Sequence, residues 1–284
     1  MNSSYEQKHP LYAASFTKRR KAMDLYEGGE RIEGNRAYLT RHTYESDKQY
    51  DIRASRATYR NFAAPIVDVF ASFINEGRPE RILPDALRPI EADADRYGMT
   101  ADAFFADVTR LAAAGGARFV IVDMEQKKGE TVAEDRASGR RMTPYFTSIS
   151  PDDVWDWGMD AKGLAWAVVH SEEMEHPAAF AAPLRYETLT VWTRDSWTRY
   201  RRPMKDKENT EYAIAEDGER RHGLGTVPLV PFLFEPISPM TGLPATDDVL
   251  SLILRIYRRD SELDKMLFDR AVPLLNVGGV SQEH

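Results

Sequence analysis

DDVLSLILRIYRRDSELDKMLFDR, residues Asp247–Arg270, is amphipathic at helical spacing throughout. A helix of this length spans about 36 Å at ~1.5 Å per residue. After it comes only a short apolar run, Pro273-Leu-Leu-Asn-Val-Gly-Gly, before His284. With no further domain downstream to cover it, its apolar stripe requires burial by something else, which points to assembly with other copies. Val249, Ile253, Ile256, Leu263 and Leu267 recur four and three apart as a candidate seam, interrupted once by Asp260. Arg255, Arg258, Arg259 and Asp264 are expected on the flank away from it, with the arginines as candidate polar interface residues.

Across the whole chain, 284 residues suffice for a substantial core. The absence of cysteine excludes disulfides, thiolate metal sites and a cysteine nucleophile, and makes an intracellular setting the default expectation. The N-terminus, Met1-Asn-Ser-Ser-Tyr-Glu-Gln-Lys-His-Pro10, has no apolar signal region, and no run approaches the length of a membrane span. Thirty-eight basic against 45 acidic residues leave a formal charge of −7, which argues against a dedicated nucleic-acid binder. An acidic surface past which DNA slides without sticking is compatible with that charge.

Ahead of the long helix the periodicity divides the chain in two. Leu11 to Tyr26 reads as a helix stopped by Gly28-Gly29, with Lys18, Arg19, Arg20 and Lys21 as a solvated basic face. A second helix starts at the capping box Ser46-Asp-Lys-Gln49 and extends toward Ile74, with a kink or break at Pro65. Its apolar half is Phe62, Ile66, Val67, Val69, Phe70, Phe73 and Ile74, while Arg53, Arg56 and Arg60 share a face that is solvated or paired with acids. A short helix over Ile90–Tyr97 and one capped by Thr100 follow. From Arg118 the period becomes that of strands: Arg118–Met124, Tyr145–Ile149, Val154–Trp157, Leu164–His170, Glu187–Thr193, Trp197–Arg202 and Val227–Phe234. Asp217-Gly218 reads as a hairpin turn, and the prolines place the last strand at a sheet edge. The class is α+β: N-terminal helices, a mostly antiparallel sheet, one long C-terminal helix.

Candidate chemistry is sparse. Asp152, Asp153, Asp156 and Asp160 invite a metal-dependent hydrolase or nuclease reading, yet Pro151-Asp-Asp and Asp160-Ala-Lys-Gly163 read as turns. His170-Ser-Glu-Glu-Met-Glu-His176 matches no familiar ligand spacing. Trp155, Trp157, Trp166, Trp192 and Trp197 lie in strands near Arg194, Arg199, Arg201 and Arg202, where sheet packing accounts for them more simply than base stacking. Asp123 ends a strand, but no parallel βαβ series surrounds it. No phosphate loop, nucleophile elbow, cofactor site or metal site is assigned, and the reading is of a protein without catalytic activity.

Several blocks, taken in order, resemble the portal proteins of tailed bacteriophages, in a branch described as phage proteins of unknown function. They are His9-Pro-Leu-Tyr12; Tyr50-Asp-Ile-Arg-Ala-Ser-Arg-Ala57 with Tyr59-Arg-Asn61; Arg118-Phe-Val-Ile-Val-Asp123; and Thr143-Pro-Tyr-Phe-Thr-Ser-Ile-Ser-Pro-Asp-Asp-Val-Trp-Asp-Trp157. The last are His222-Gly-Leu-Gly-Thr-Val-Pro-Leu-Val-Pro231, the helix from Asp247, and Ala271-Val-Pro-Leu-Leu-Asn-Val-Gly-Gly279. The resemblance implies a homo-oligomeric ring, a dodecamer, at a capsid vertex, through which DNA is packaged and ejected. It implies contacts with terminase, major capsid and scaffold proteins, head-completion or tail proteins, and non-specifically with double-stranded DNA. Location would be the virion, and the bacterial host cytoplasm during assembly, with no membrane partner. Residues 1–30 would form an N-terminal arm, 31–245 a wing-like domain and 246–284 a stem-like helix and the start of a clip. The clip, second stem helix and crown expected of the family do not follow, so the chain reads as a portal truncated at its C-terminus: a deliberately shortened form, a split gene or a prophage remnant. A head-tail adaptor is the neighbouring structural alternative.

Overall fold

The computed structural model describes residues 4–77, 79–125, 131–139, 142–206 and 211–271. The 272–279 part of the last resemblance block therefore lies outside the described residues. In chain order the elements are α1 (Pro10–Glu27), α2 (Asp47–Ala54), α3 (Ala63–Ile74), α4 (Pro89–Ala92), α5 (Ala101–Gly115), β1 (Ala117–Asp123), α6 (Val132–Ala137) and β2 (Tyr145–Ile149). Then come β3 (Val154–Asp160), β4 (Gly163–Glu175), β5 (Leu184–Thr193), β6 (Ser196–Pro203), β7 (Ala213–Arg221), β8 (Leu229–Leu233), β9 (Glu235–Ser238), β10 (Thr241–Leu243) and α7 (Leu250–Ala271). All the strand pairings are antiparallel, and the class is α+β as expected.

The chain forms two compact units, residues 1–20 with 67–245 and residues 21–66 with 246–284. The first holds all three sheets. Strands β3 to β7 form a five-stranded meander in sequence order, β2-β1-β8 a three-stranded sheet, and β9-β10 a hairpin. Period-two alternation on β1 explains its two-sided burial: Phe119 and Ile121 join one apolar cluster with Val154, Trp157, Leu189 and Trp197, while Val120 joins another with Phe104 and Val108 of α5. Helix α5 starts at Thr100, whose hydroxyl accepts from Ala103 N, and ends at Gly116 in the left-handed region at φ 86°. The tight turn Asp160–Gly163 joins β3 to β4, as its composition indicates, with Asp160 Oδ1 accepting from Lys162 N at 2.7 Å. Strand β8, with Pro228 just before it and Pro231 within it, pairs only with β1 and so is an edge.

Two local expectations need correction. Asp217-Gly218 does not turn a hairpin but lies within β7. There Thr198 pairs with Glu219 and Tyr200 with Ile214, so the chain between them leaves the register opposite Arg199. The turn-forming dipeptide makes a bulge rather than a strand reversal. The long second helix also breaks before its proline, after Ala54, and restarts at Ala63. Pro65 falls in the first turn of α3, where amide hydrogens have no helical partner and a missing one costs nothing.

The second unit is helical. Ser46 and Gln49 form both halves of the capping box at α2. Helix α1 ends ahead of Gly28 and Gly29, both at positive φ. Ala22, Leu25, Ile32, Leu39, Ala57, Tyr59 and Ala63 pack with Leu250, Ile253, Leu254 and Tyr257 of α7 in one cluster.

Candidate assembly surface

Helix α7 carries two apolar stripes, and the described residues cover only one. At ~100° per residue, Leu250, Ile253, Leu254, Tyr257 and Ser261 lie on one side. All five are buried within the second unit. Tyr257 donates its hydroxyl hydrogen to Ile32 O at 3.2 Å and meets Tyr59 edge-on, with centroids 5.8 Å apart. Tyr59 in turn donates to Leu25 O at 2.8 Å, and burial pushes its phenol up to about 12. The expectation that nothing within the chain buries the first half of the long helix is therefore corrected. Residues 21–66 cover it, a partner some 200 positions away that periodicity cannot identify.

Beside this cluster a buried ion pair, Arg53 of α2 with Glu45, reaches α7 through a hydrogen bond to Ser261. Arg53 donates from Nε to Glu45 Oε1 at 2.9 Å and from a terminal nitrogen to Glu45 Oε2 at 2.8 Å. The remaining guanidinium hydrogens reach Ser261 Oγ at 3.1 Å and Thr40 O at 2.9 Å. Both side chains are 2–3% exposed. These bonds hold the Glu45 carboxyl down at about 2, against the opposing effect of burial. Of the three arginines read as sharing a face, Arg53 is this buried partner, Arg56 stacks on Phe268 at 3.7 Å and Arg60 is exposed, 3.6 Å from Asp260.

The second stripe lies roughly 140° round the helix and consists of Leu252, Ile256, Leu263, Met266 and Leu267. Leu252, Leu263, Met266 and Leu267 are each at least half exposed, and Ile256 is partly covered. Arg255, Arg259 and Arg270 interleave with or border them, and Asp260 lies at the edge of the same sector. The seam read from sequence thus divides: Val249 and Ile253 belong to the internal cluster, whereas Ile256, Leu263 and Leu267 face outward. Of the candidate polar residues, Arg255 and Arg259 are exposed, but Arg258 turns inward, donating from Nε to Tyr38 O at 2.8 Å.

Elsewhere the candidate reactive groups are committed to separate partners. Asp152 accepts from Arg19 at 2.6 and 2.9 Å, which buries Arg19 out of the basic face expected to be solvated. Asp156 Oδ1 accepts from the adjacent Trp157 N, and Asp160 is bridged by Arg194 at 2.6 and 2.8 Å. The latter guanidinium holds the Asp160 carboxyl at about 2. Among the described residues no three His, Asp or Glu side chains converge on a metal position. His170 lies 3.5 Å from Asp153 and 3.2 Å from Glu187 and stacks on Trp155, while Glu187 accepts from Arg202 at 2.7 Å. Four tryptophans are core residues, and Arg194, Arg199, Arg201 and Arg202 all pair with carboxylates.

A cleft of about 440 Å³ lies between Val122, Asp123, Trp192, Trp197, Arg220 and His222. Asp123 accepts from the Tyr145 hydroxyl at 2.9 Å. His222 Nδ1 accepts from Leu224 N, so its other nitrogen carries the hydrogen donated to Thr193 O at 3.1 Å. With both ring nitrogens engaged, the cleft offers no free imidazole base. The fold and its surfaces define an α+β protein whose distinctive feature is an uncovered apolar and arginine-bearing helix face. No family model and no curated protein matches the chain.

Proposed function

We propose that the chain is a ring-forming structural protein of the tailed-phage portal type, built into a capsid vertex for DNA packaging and ejection. The observation that carries this reading is the second stripe of α7, Leu252, Ile256, Leu263, Met266 and Leu267. Among the described residues it is left outside the core, at the position that the resemblance gives to the first stem helix. Uncovered apolar stripes of this kind mark association surfaces in soluble proteins. Repeated head-to-tail contact through unlike surfaces closes into a ring when the rotation per copy divides a full turn. Partners follow from the same resemblance: the packaging motor, capsid and scaffold proteins, and head-completion or tail proteins. DNA contact is weak and independent of sequence, in keeping with a net charge of −7. Arg255 and Arg259 are open to neighbouring copies or to DNA, and Arg258 is not.

Sedimentation velocity over a concentration series tests the proposal. It predicts a discrete large species growing at the expense of monomer, and a boundary that stays monomeric at every soluble concentration overturns it.

A further inference from the structure

Helix α3 is built inside out. Its small residues Ala63, Val67 and Ala71 are buried, while Phe62 just before it and Val69, Phe70, Phe73 and Ile74 along it are exposed, Phe73 by 71%. A twelve-residue helix that hides alanine and presents phenylalanine is shaped for an external partner. We infer that this face receives the uncovered stripe of α7 from a second copy of the chain. The inference rests on the ring reading above and adds the two surfaces that would make the ring.

Three observations select this occupant. The first is charge. Glu76, just past the end of α3, is the charged residue nearest its apolar face, with Asp68 on the far side, whereas the outer α7 sector carries Arg255, Arg259 and Arg270, with Asp260 at its edge. Packing α7 on α7 would bring arginines together, whereas the α3 face offers them the Glu76 carboxylate at its end. The second is length, since Phe62 to Phe73 covers about 17 Å and Leu252 to Leu267 about 23 Å, lengths that allow one helix to lie along the other. The third is area. With aromatic side chains burying ~150–250 Å² each when fully covered, the half-exposed residues here supply on the order of 500 Å² per copy. That gives roughly 1,000 Å² in total, the lower bound for a specific interface. Each copy has one donor stripe and one acceptor face, and in the ring reading the stripe of one copy meets the face of the next, a head-to-tail contact that propagates.

Two surface variants test it, Phe73→Asp on the acceptor and Leu263→Asp on the donor, with circular dichroism confirming that each remains folded. Each alone is expected to weaken self-association by at least about tenfold. Mixed in equal amounts, they are expected to form a heterodimer and nothing larger, because one intact stripe meets one intact face. Assembly unchanged in both variants would overturn this contact and leave the ring reading standing through other surfaces. Failure of the mixture to dimerise would overturn the head-to-tail pairing. A wild-type chain that never associates would overturn both.

Discussion

Replacing Arg53 with methionine probes what holds the helical unit together. Arg53 makes four hydrogen bonds, two to Glu45 and one each to Ser261 and Thr40, tying α7 to α2 and to the segment between α1 and α2. Methionine fills the aliphatic volume but leaves Glu45 buried, with, among the described residues, the Lys265 ammonium at 3.8 Å and the His42 amide nitrogen at 3.3 Å for compensation. Removing one member of a buried pair costs ~3–5 kcal/mol, because the charge left behind is desolvated. At a urea m-value of ~2 kcal/mol per molar, that lowers the midpoint by roughly 2 M. All five tryptophans lie in the first unit. Fluorescence therefore follows the sheets, and ellipticity at helical wavelengths is the channel in which the shift must appear. The pH dependence adds an independent check. A carboxyl held at about 2 instead of its usual 4.5 stabilises the fold above the higher value, and that stability is lost as pH falls toward the lower one. The difference corresponds to about 3 kcal/mol at ~1.36 kcal/mol per pH unit. Wild type should lose this stability between about pH 4.5 and 2. Arg53→Met should show a much shallower slope there. A helical midpoint that moves by less than about 0.5 M, or an unchanged acid slope, would show that the pair does not hold the unit together.

Other outcomes follow from the same geometry. Gly116→Ala should destabilise the first unit by about 3 kcal/mol in thermal melts followed by tryptophan fluorescence, since φ is +86° and a Cβ would collide with the Gly242 carbonyl. Gly29→Ala, also at positive φ but with open space around it, should cost only about 1 kcal/mol, read by ellipticity. Ser46→Ala removes one half of the capping box and should cost ~1 kcal/mol by urea titration of the helical signal. Asp152→Ala strands the buried Arg19 and should cost ~2 kcal/mol, whereas Asp156→Ala, whose carboxylate accepts from the neighbouring backbone amide, should lie within ~0.5 kcal/mol of wild type. A divalent-metal-dependent hydrolytic activity lost in both aspartate variants would favour the hydrolase reading instead.

What the sequence made legible was local. The capping box at Ser46, the cap at Thr100, the glycine stop after α1 and the strands on either side of the Asp160–Gly163 turn each depend on residues a few positions apart. The failures are non-local. Asp217-Gly218 has turn chemistry, but whether it makes a hairpin or a bulge is decided by β6 alongside it. Arg19 looked like one of four solvated cations because its partner, Asp152, lies 133 residues away. Helix α7 was recognisable as a helix, but its two apolar stripes overlap in any single periodic template. Spacing alone joins Ile253 of the covered stripe to Leu263 of the open one. The inverted burial of α3 gave no sequence signal either, because an apolar helix face reads the same whether it points into a core or toward a partner.

Negative-stain images of the purified full chain, paired with native mass spectrometry of the same sample, decide between a ring and a free monomer. The ring reading predicts closed rings whose mass is a single integer multiple of the 32.3 kDa chain. A population consisting only of monomers, under conditions where circular dichroism shows the chain folded, would contradict it.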